Sequence, residues 1–295
     1  MKGDPKVKTN SWRALLAAGV LAALVAGSLP ATAASSNLPL SLCNARNAAV
    51  SFTDSPGAAA NPYFPLTSAL NSVFVGPDVD GIHGLRLDVL APSALPPELQ
   101  GSQIFHFGSR TISTRVVREF EWLDTNGDGI QESNPDDPTV ERTIEDSFNY
   151  FAQAGDGTVC YFGEFVKEYV NGVYDPTDTT GIWRADGQSQ PGTDNAPGIQ
   201  MPASPKSGMY YLQEYAPTVA LDQALIVGVG PVTLRDGTPF SNAIRTKEGS
   251  QLEKGKEYKW YAPGKGLIID DQLDRCTSVS SCQAGLGLAR TRNSR

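Results

Sequence analysis

The densest set of hard oxygen donors in the chain is Asp124-Thr125-Asn126-Gly127-Asp128-Gly129-Ile130. Side-chain oxygens at the first, third and fifth positions, followed by glycine for a sharp turn, match the opening of a calcium loop. The second half departs from an EF-hand, because Pro135 stands where the bidentate glutamate belongs and Gln131 where an apolar residue belongs. The flanking segments also alternate like strands. These residues predict a Ca²⁺-binding β-loop, with Asp124, Asn126, Asp128, the Ile130 carbonyl, Glu132 and Asp136 or its neighbour Asp137 as ligands. The competing reading is a plain acidic, solvated hairpin loop.

Other catalytic chemistry has fewer candidates. The two histidines are His83 and His106, and the latter sits in the strand-like Ile104-Phe105-His106-Phe107-Gly108. No serine lies in a G-x-S-x-G elbow, so a Ser-His-Asp hydrolase has no local support. Two histidines are also too few for a His-rich catalytic zinc site. Carboxylates remain: Glu164, Glu214, Asp222 and Glu248 lie in or beside apolar strand-like segments, and Trp183 and Trp260 are able to stack on a sugar. A glycosidase needs two such groups about 5–10 Å apart across a cleft. No glycine-rich phosphate loop joins a strand to a helix.

Compartment follows from the first residues. Lys2, Lys6, Lys8 and Arg13 precede the apolar run Leu15–Ala26, and Ala31-Thr32-Ala33 offers an A-x-A cleavage site. This pattern predicts a cleavable signal peptide over 1–33, with a run shorter than the ~20 apolar residues of a membrane span. Cleavage removes those four cations and Asp4, moving the formal charge from −8 to −11. So acidic a chain is expected to avoid nucleic acid and to accept cations. The predicted location is periplasmic or extracellular, with no transmembrane segment after cleavage. In an oxidising compartment the four cysteines favour disulfides. Cys276 and Cys282 bracket five residues, the easiest loop to close, which leaves Cys43 to pair with Cys160.

The elements that must position these groups read as strands. In 111–123, Ile112, Thr114, Val116, Phe120 and Trp122 alternate with Ser113, Arg115, Glu119 and Glu121. Segment 140–151 alternates in the same way. Such period-two patterns predict half-buried antiparallel strands with the 112/114/116/120/122 face inward. Asp156-Gly157 and Asn171-Gly172 mark hairpin turns. Further strands are predicted at 209–215, 224–229, 240–248, 256–262 and 266–270, while the Gly/Pro-rich stretch 184–207 reads as a long functional or lid-like loop. The predicted organisation is a flexible tail over 34–60, a β domain over 61–272 and a C-terminal tail over 273–295 holding the small disulfide loop.

Ordered blocks add a resemblance. Asn61-Pro62-Tyr63-Phe64-Pro65-Leu66, Tyr150-Phe151-Ala152-Gln153, Val159-Cys160-Tyr161-Phe162-Gly163-Glu164, Gln213-Glu214-Tyr215-Ala216-Pro217 and Tyr261-Ala262-Pro263-Gly264-Lys265-Gly266-Leu267-Ile268 recur in this order. Together they resemble a group of uncharacterised secreted bacterial proteins with "NPYFPL", "YAQ..DG.V.YFGE" and "APGVGLV" blocks, related to lipoprotein-carrier-like half-barrels. The resemblance covers about 61–270 and implies a single large antiparallel, strongly curved sheet, a half-barrel or open barrel, with few short helices. It supplies no catalytic residues. The group usually has Trp at the position of Cys160, which implies a disulfide role for that cysteine here, and a short connection where this chain has 124–137. The leading expectation is a secreted, non-catalytic β protein that binds an apolar or amphipathic ligand, or a surface partner, on its concave face. The alternatives are a carboxylate-pair, glycosidase-like hydrolase and a purely structural or interaction protein.

Overall fold

The computed structural model describes residues 36–78, 81–129, 141–188 and 194–287. Two short strands, β1 (Ser36–Asn37) and β2 (Phe52–Thr53), precede β3 (Ser72–Asp78) and β4 (Gly81–Leu90). A small hairpin of β5 (Ile104–Phe107) and β6 (Arg110–Ser113) leads into β7 (Arg115–Asp124), β8 (Glu141–Ala154) and β9 (Val159–Val170). Then come β10 (Val173–Tyr174), β11 (Trp183–Arg184), β12 (Gly198–Met201), β13 (Met209–Leu212), β14 (Asp222–Thr233) and β15 (Pro239–Ser250). The last elements are β16 (Glu257–Ala262), β17 (Gly266–Asp270), β18 (Leu273–Cys276) and the short helix α1 (Val279–Gly285). The protein is mostly β, as the alternation predicts.

Sixteen of these strands form one open sheet whose main path runs β1-β13-β14-β15-β16-β17-β18-β3-β4-β7-β8-β9-β10; β5 and β6 pair separately. The expectation of a purely antiparallel sheet is corrected at one edge. There β1 runs parallel to β13 through Ser36↔Met209 and Asn37↔Tyr210. The two strands are far apart in sequence, so no tight turn dictates an antiparallel return. At the turn before β10, Asn171 and Gly172 both take positive φ, 54° and 79°, the conformation that an Asn-Gly hairpin supplies at least cost.

Three boundaries move. Residues 36–60, expected as a loose tail, are tied down by β1, by β2 against β8 and by the Cys43–Cys160 disulfide. Arg110 adds donors to the carbonyls of Ala45, Asn47 and Val50. A domain edge at 272 would cut the sheet, because β18 pairs with both β17 and β3. Beyond it, Cys276 and Cys282 are joined in the expected local disulfide. The stretch 184–207 is also not all loop, since β12 pairs with β9. The expected signal peptide, 1–33, lies outside the described residues.

The five residues expected inward are all buried, but they do not share one strand. Ile112 belongs to the separate β5–β6 hairpin, and the strand breaks at Thr114, whose backbone N–H donates to the Gln103 carbonyl. Val116, Phe120 and Trp122 are buried on one face of β7, and Trp122 lies flat over Gly84, where a Cβ would fall inside the indole. The same face of β8 and β9 is covered by the N-terminal segment and the small hairpin: Phe162 packs on Phe52 and Phe105 at 5.3 and 5.4 Å. The opposite face of β7, expected to point its glutamates into water, is buried too. There Leu85 and Leu87 of β4 stand beside Glu121 and Glu119, and Phe64, Leu66 and Leu70 join the main core.

Candidate functional site

That second face gathers acids from strands far apart in the sheet. Glu121 lies opposite Glu145 in β8, which lies opposite Glu168 in β9; Asn149 lies opposite Glu164. On the other arm, Thr246 and Glu248 of β15 lie opposite Lys259 and Glu257 of β16, and Lys259 lies opposite Asp270 of β17. Like charges side by side on neighbouring strands are unfavourable. Most of these groups are nonetheless shielded: Glu121, Glu145, Glu214, Glu248, Lys259 and Asp270 are each at most 8% exposed. Glu119, Glu164, Glu168 and Glu257 are half-buried.

The first subsite is built on a strand irregularity. Gly163 has φ 153°, and a Cβ there would run into the Trp183 backbone, so glycine lets β11 close on β9 beside Glu164. Trp183 is wholly buried and its indole Nε1 donates to Glu214 Oε1 at 3.3 Å. Tyr161 packs edge-on against Trp183 and donates its hydroxyl to Asn149 Oδ1. Burial, then Glu214, push the Glu164 carboxyl well above the usual carboxylate range. Burial, then Asp222, do the same to Glu214. These two acids share a site in which proton and charge are divided between them.

The second subsite surrounds Lys259. Its ammonium lies 3.2 Å from Glu257 Oε1 and 3.3 Å from Asp270 Oδ2. Burial works against that charge, yet Asp270, Glu257 and Glu248 outweigh it and hold the lysine well above its ordinary value. Burial pushes Glu257 up to about 8 and Glu119 up to about 7, in each case against the pull of Lys259. Glu248 accepts from Thr246 Oγ1 at 2.6 Å, Gln213 Nε2 at 3.0 Å and the Tyr261 hydroxyl at 3.3 Å. The Tyr211 hydroxyl, close enough to feel the Glu248 charge, is buried with no hydrogen-bond partner among the described residues. An orphaned hydroxyl in a protein interior costs about 1–3 kcal/mol. Glu121 bonds His83 Nε2 at 3.1 Å at the far side.

The arrangement has the chemistry of a shielded cluster of acids. Burial first, and neighbouring carboxylates after it, push several of these carboxyls upward, Glu119 and Glu168 to about 7 and Glu257 to about 8, so an incoming cation would release protons. Among the described residues no group of three or more His, Cys, Asp or Glu is placed to hold a metal ion. A concavity of about 290 Å³ lies elsewhere, on the outer side, lined by Leu40, Cys43, Arg46, Phe107 and Pro197 among others.

Of the acids singled out from sequence, Glu164, Glu214 and Asp222 interact with one another, and Glu248 sits on the second subsite. Trp183 meets the acids, but as a buried donor and not as an exposed stacking platform. Trp260 lies on the opposite face of the sheet. Sequence reasoning missed Glu119, Glu121, Glu145, Glu257, Lys259 and Asp270. In Arg118-Glu119-Phe120-Glu121-Trp122-Leu123-Asp124 the glutamates alternate as on an ordinary solvent face, so the sequence carries no local signal of their burial. In the glycine-rich loop, Asp124 is buried and accepts from the Gly127 and Gly129 backbone N–H groups at 2.6 Å each, and Asn126 Oδ1 accepts from Asp128 N–H at 2.9 Å. Ile130, Glu132, Asp136 and Asp137 lie outside the described residues. His106 is exposed on β5 and His83 is bound to Glu121, so the histidines do not meet.

Among the described residues no helix is long and apolar enough to cross a membrane. Comparison with protein families, with curated proteins and with solved structures finds no match to this chain.

Proposed function

We propose that this is an exported, non-catalytic β protein whose sheet curls into an open half-barrel and binds the cationic end of an amphipathic ligand on its acid-lined inner face. The observation that carries the reading is that Glu119 of β7 feels Lys259, Asp270 and Glu248 of β16, β17 and β15. Five strand steps separate β7 from β16 along the sheet. A flat sheet would hold them roughly 24 Å apart, at about 4.8 Å per step. Curling brings the two arms together. The apolar end of that face is already filled by Phe64, Leu66 and Leu70, so a ligand would keep its apolar part outside the core and present its charge to the half-buried Glu119, Glu164 and Glu257. Export rests on the 1–33 segment and accords with two disulfides.

Calorimetry tests this with two amphiphiles of equal length and opposite charge, below their micelle concentrations. Dodecylammonium should raise the melting temperature and release protons on binding, with tighter binding at pH 8 than at pH 6; Glu164→Gln should weaken it. Equal stabilisation by dodecanoate, or none by either, would refute the reading. The Glu164–Glu214 pair favours a second reading, a carboxylate-pair hydrolase, which requires that Glu164→Gln abolish release of reducing sugar from a polysaccharide. Calcium at Asp124, Asn126 and Asp128 is a separate proposal, supported by donor type and spacing.

A further inference from the structure

The outer face of the β15–β16 pair presents cations and rings to solvent. Thr246, Glu248, Lys259 and Tyr261 point into the core, so alternation sends Arg245, Lys247, Tyr258 and Trp260 outward. Register sets Arg245 opposite Trp260 and Lys247 opposite Tyr258. The Arg245 guanidinium lies 4.0 Å from the Tyr258 ring centre and 4.8 Å from that of Trp260, and the two rings are 6.4 Å apart. Arg245 is exposed, while Lys247, Tyr258 and Trp260 are half-buried. Arg245 and Lys247 have no carboxylate partner within ion-pair distance among the described residues. Asp271 stands at the rim, where its backbone N–H donates to the Tyr258 carbonyl.

In a chain of formal charge −8, an arginine packed against two aromatic rings, with Lys247 opposite one of them in register, forms a local positive exception. Guanidinium stacking holds the arginine flat while leaving its N–H edge free to bind oxygen anions. Ring faces suit the C–H faces of pyranoses, and carboxylates complement the cations. We propose that this face is a binding site for an acidic polysaccharide, a polyuronate, engaged by Tyr258 and Trp260 through sugar rings and by Arg245 and Lys247 through carboxylates. It shares no residue with the inner acidic face and stands or falls separately.

Affinity electrophoresis of the disulfide-bonded protein in gels containing polygalacturonate, amylose or neither tests the site. Polygalacturonate should retard the protein, amylose much less, and added salt should weaken the retardation, since exposed charges are screened. Arg245→Gln, at an exposed position, and Tyr258→Ala should each weaken binding at least tenfold while leaving the melting temperature near that of the parent. Trp260→Ala should do the same if it folds, and its folding is checked by near-ultraviolet circular dichroism. Absence of retardation by polygalacturonate, equal retardation by amylose, or retention unchanged in folded Arg245→Gln and Tyr258→Ala would each overturn the proposal.

Discussion

Replacing both Cys43 and Cys160 with alanine is the most informative perturbation of the fold. The bridge links positions 117 apart in sequence, and both cysteines are wholly buried. On the chain-entropy account, closing a loop of that length removes about 5 kcal/mol of unfolded-state freedom, against about 2 kcal/mol for the six-residue separation of Cys276–Cys282. The long bridge also fastens a segment whose strands are short, β1 and β2 being two residues each, with Arg110 and the Phe52–Phe162 contact as further ties. The double variant should therefore lose about 5 kcal/mol in urea unfolding. At about 2–3 kcal/mol per molar urea, the midpoint should fall by roughly 2 M. Trypsin should then cut first at Arg46, which is exposed between the bridge and β2. The matching Cys276→Ala/Cys282→Ala variant should lose less than half as much. A midpoint within roughly 0.3 M of the parent, with Arg46 still protected, would refute the idea that this bridge carries the N-terminal segment.

Three further expectations concern the acids, the sheet and the loop. Burial raises Glu119 and Glu168 to about 7 and Glu257 to about 8, so the folded state takes up protons that the unfolded chain, titrating near 4.5, has already lost. That stabilisation is complete below about pH 4.5 and disappears as the pH rises through 7 to 8. The melting temperature should accordingly be several degrees higher at pH 5 than at pH 8.5, and Glu257→Gln should flatten the profile; a profile rising with pH would contradict it. Gly84→Ala forces a methyl into the Trp122 ring and should cost about 1–3 kcal/mol in chemical unfolding, and a neutral result would mean that the indole has room to move. Millimolar Ca²⁺ should raise the melting temperature of the parent but not of Asp128→Ala, as expected for an ion that binds only the folded loop; no shift in the parent leaves 124–129 a loop held by its own amides.

Local chemistry made part of this molecule legible from its residues alone. Period-two alternation, Asn171-Gly172 and Asp156-Gly157 act over a few residues, and the strands at 209–212, 222–233, 239–250, 257–262 and 266–270 appear close to where the pattern puts them. The short spacing of Cys276 and Cys282 likewise dictates its own loop closure. Glu164, Glu214, Asp222 and Glu248 stood out because they are acids among apolar neighbours. What alternation does not determine is which face meets water. A strand in the middle of a sheet covered on both sides buries both sets of side chains, so Glu119 and Glu121, regular in sequence, end beside Leu87 and Leu85 and across from Lys259. The pairing of β18 with β3, the parallel lie of β1 on β13 and the anchoring of 36–60 join residues up to about 200 positions apart. Such contacts are decided by how the whole sheet satisfies its edges and fills its core. The acidic face belongs to that level: each of its residues is an ordinary surface type in sequence, and tertiary burial alone turns them into a set of coupled, proton-holding groups.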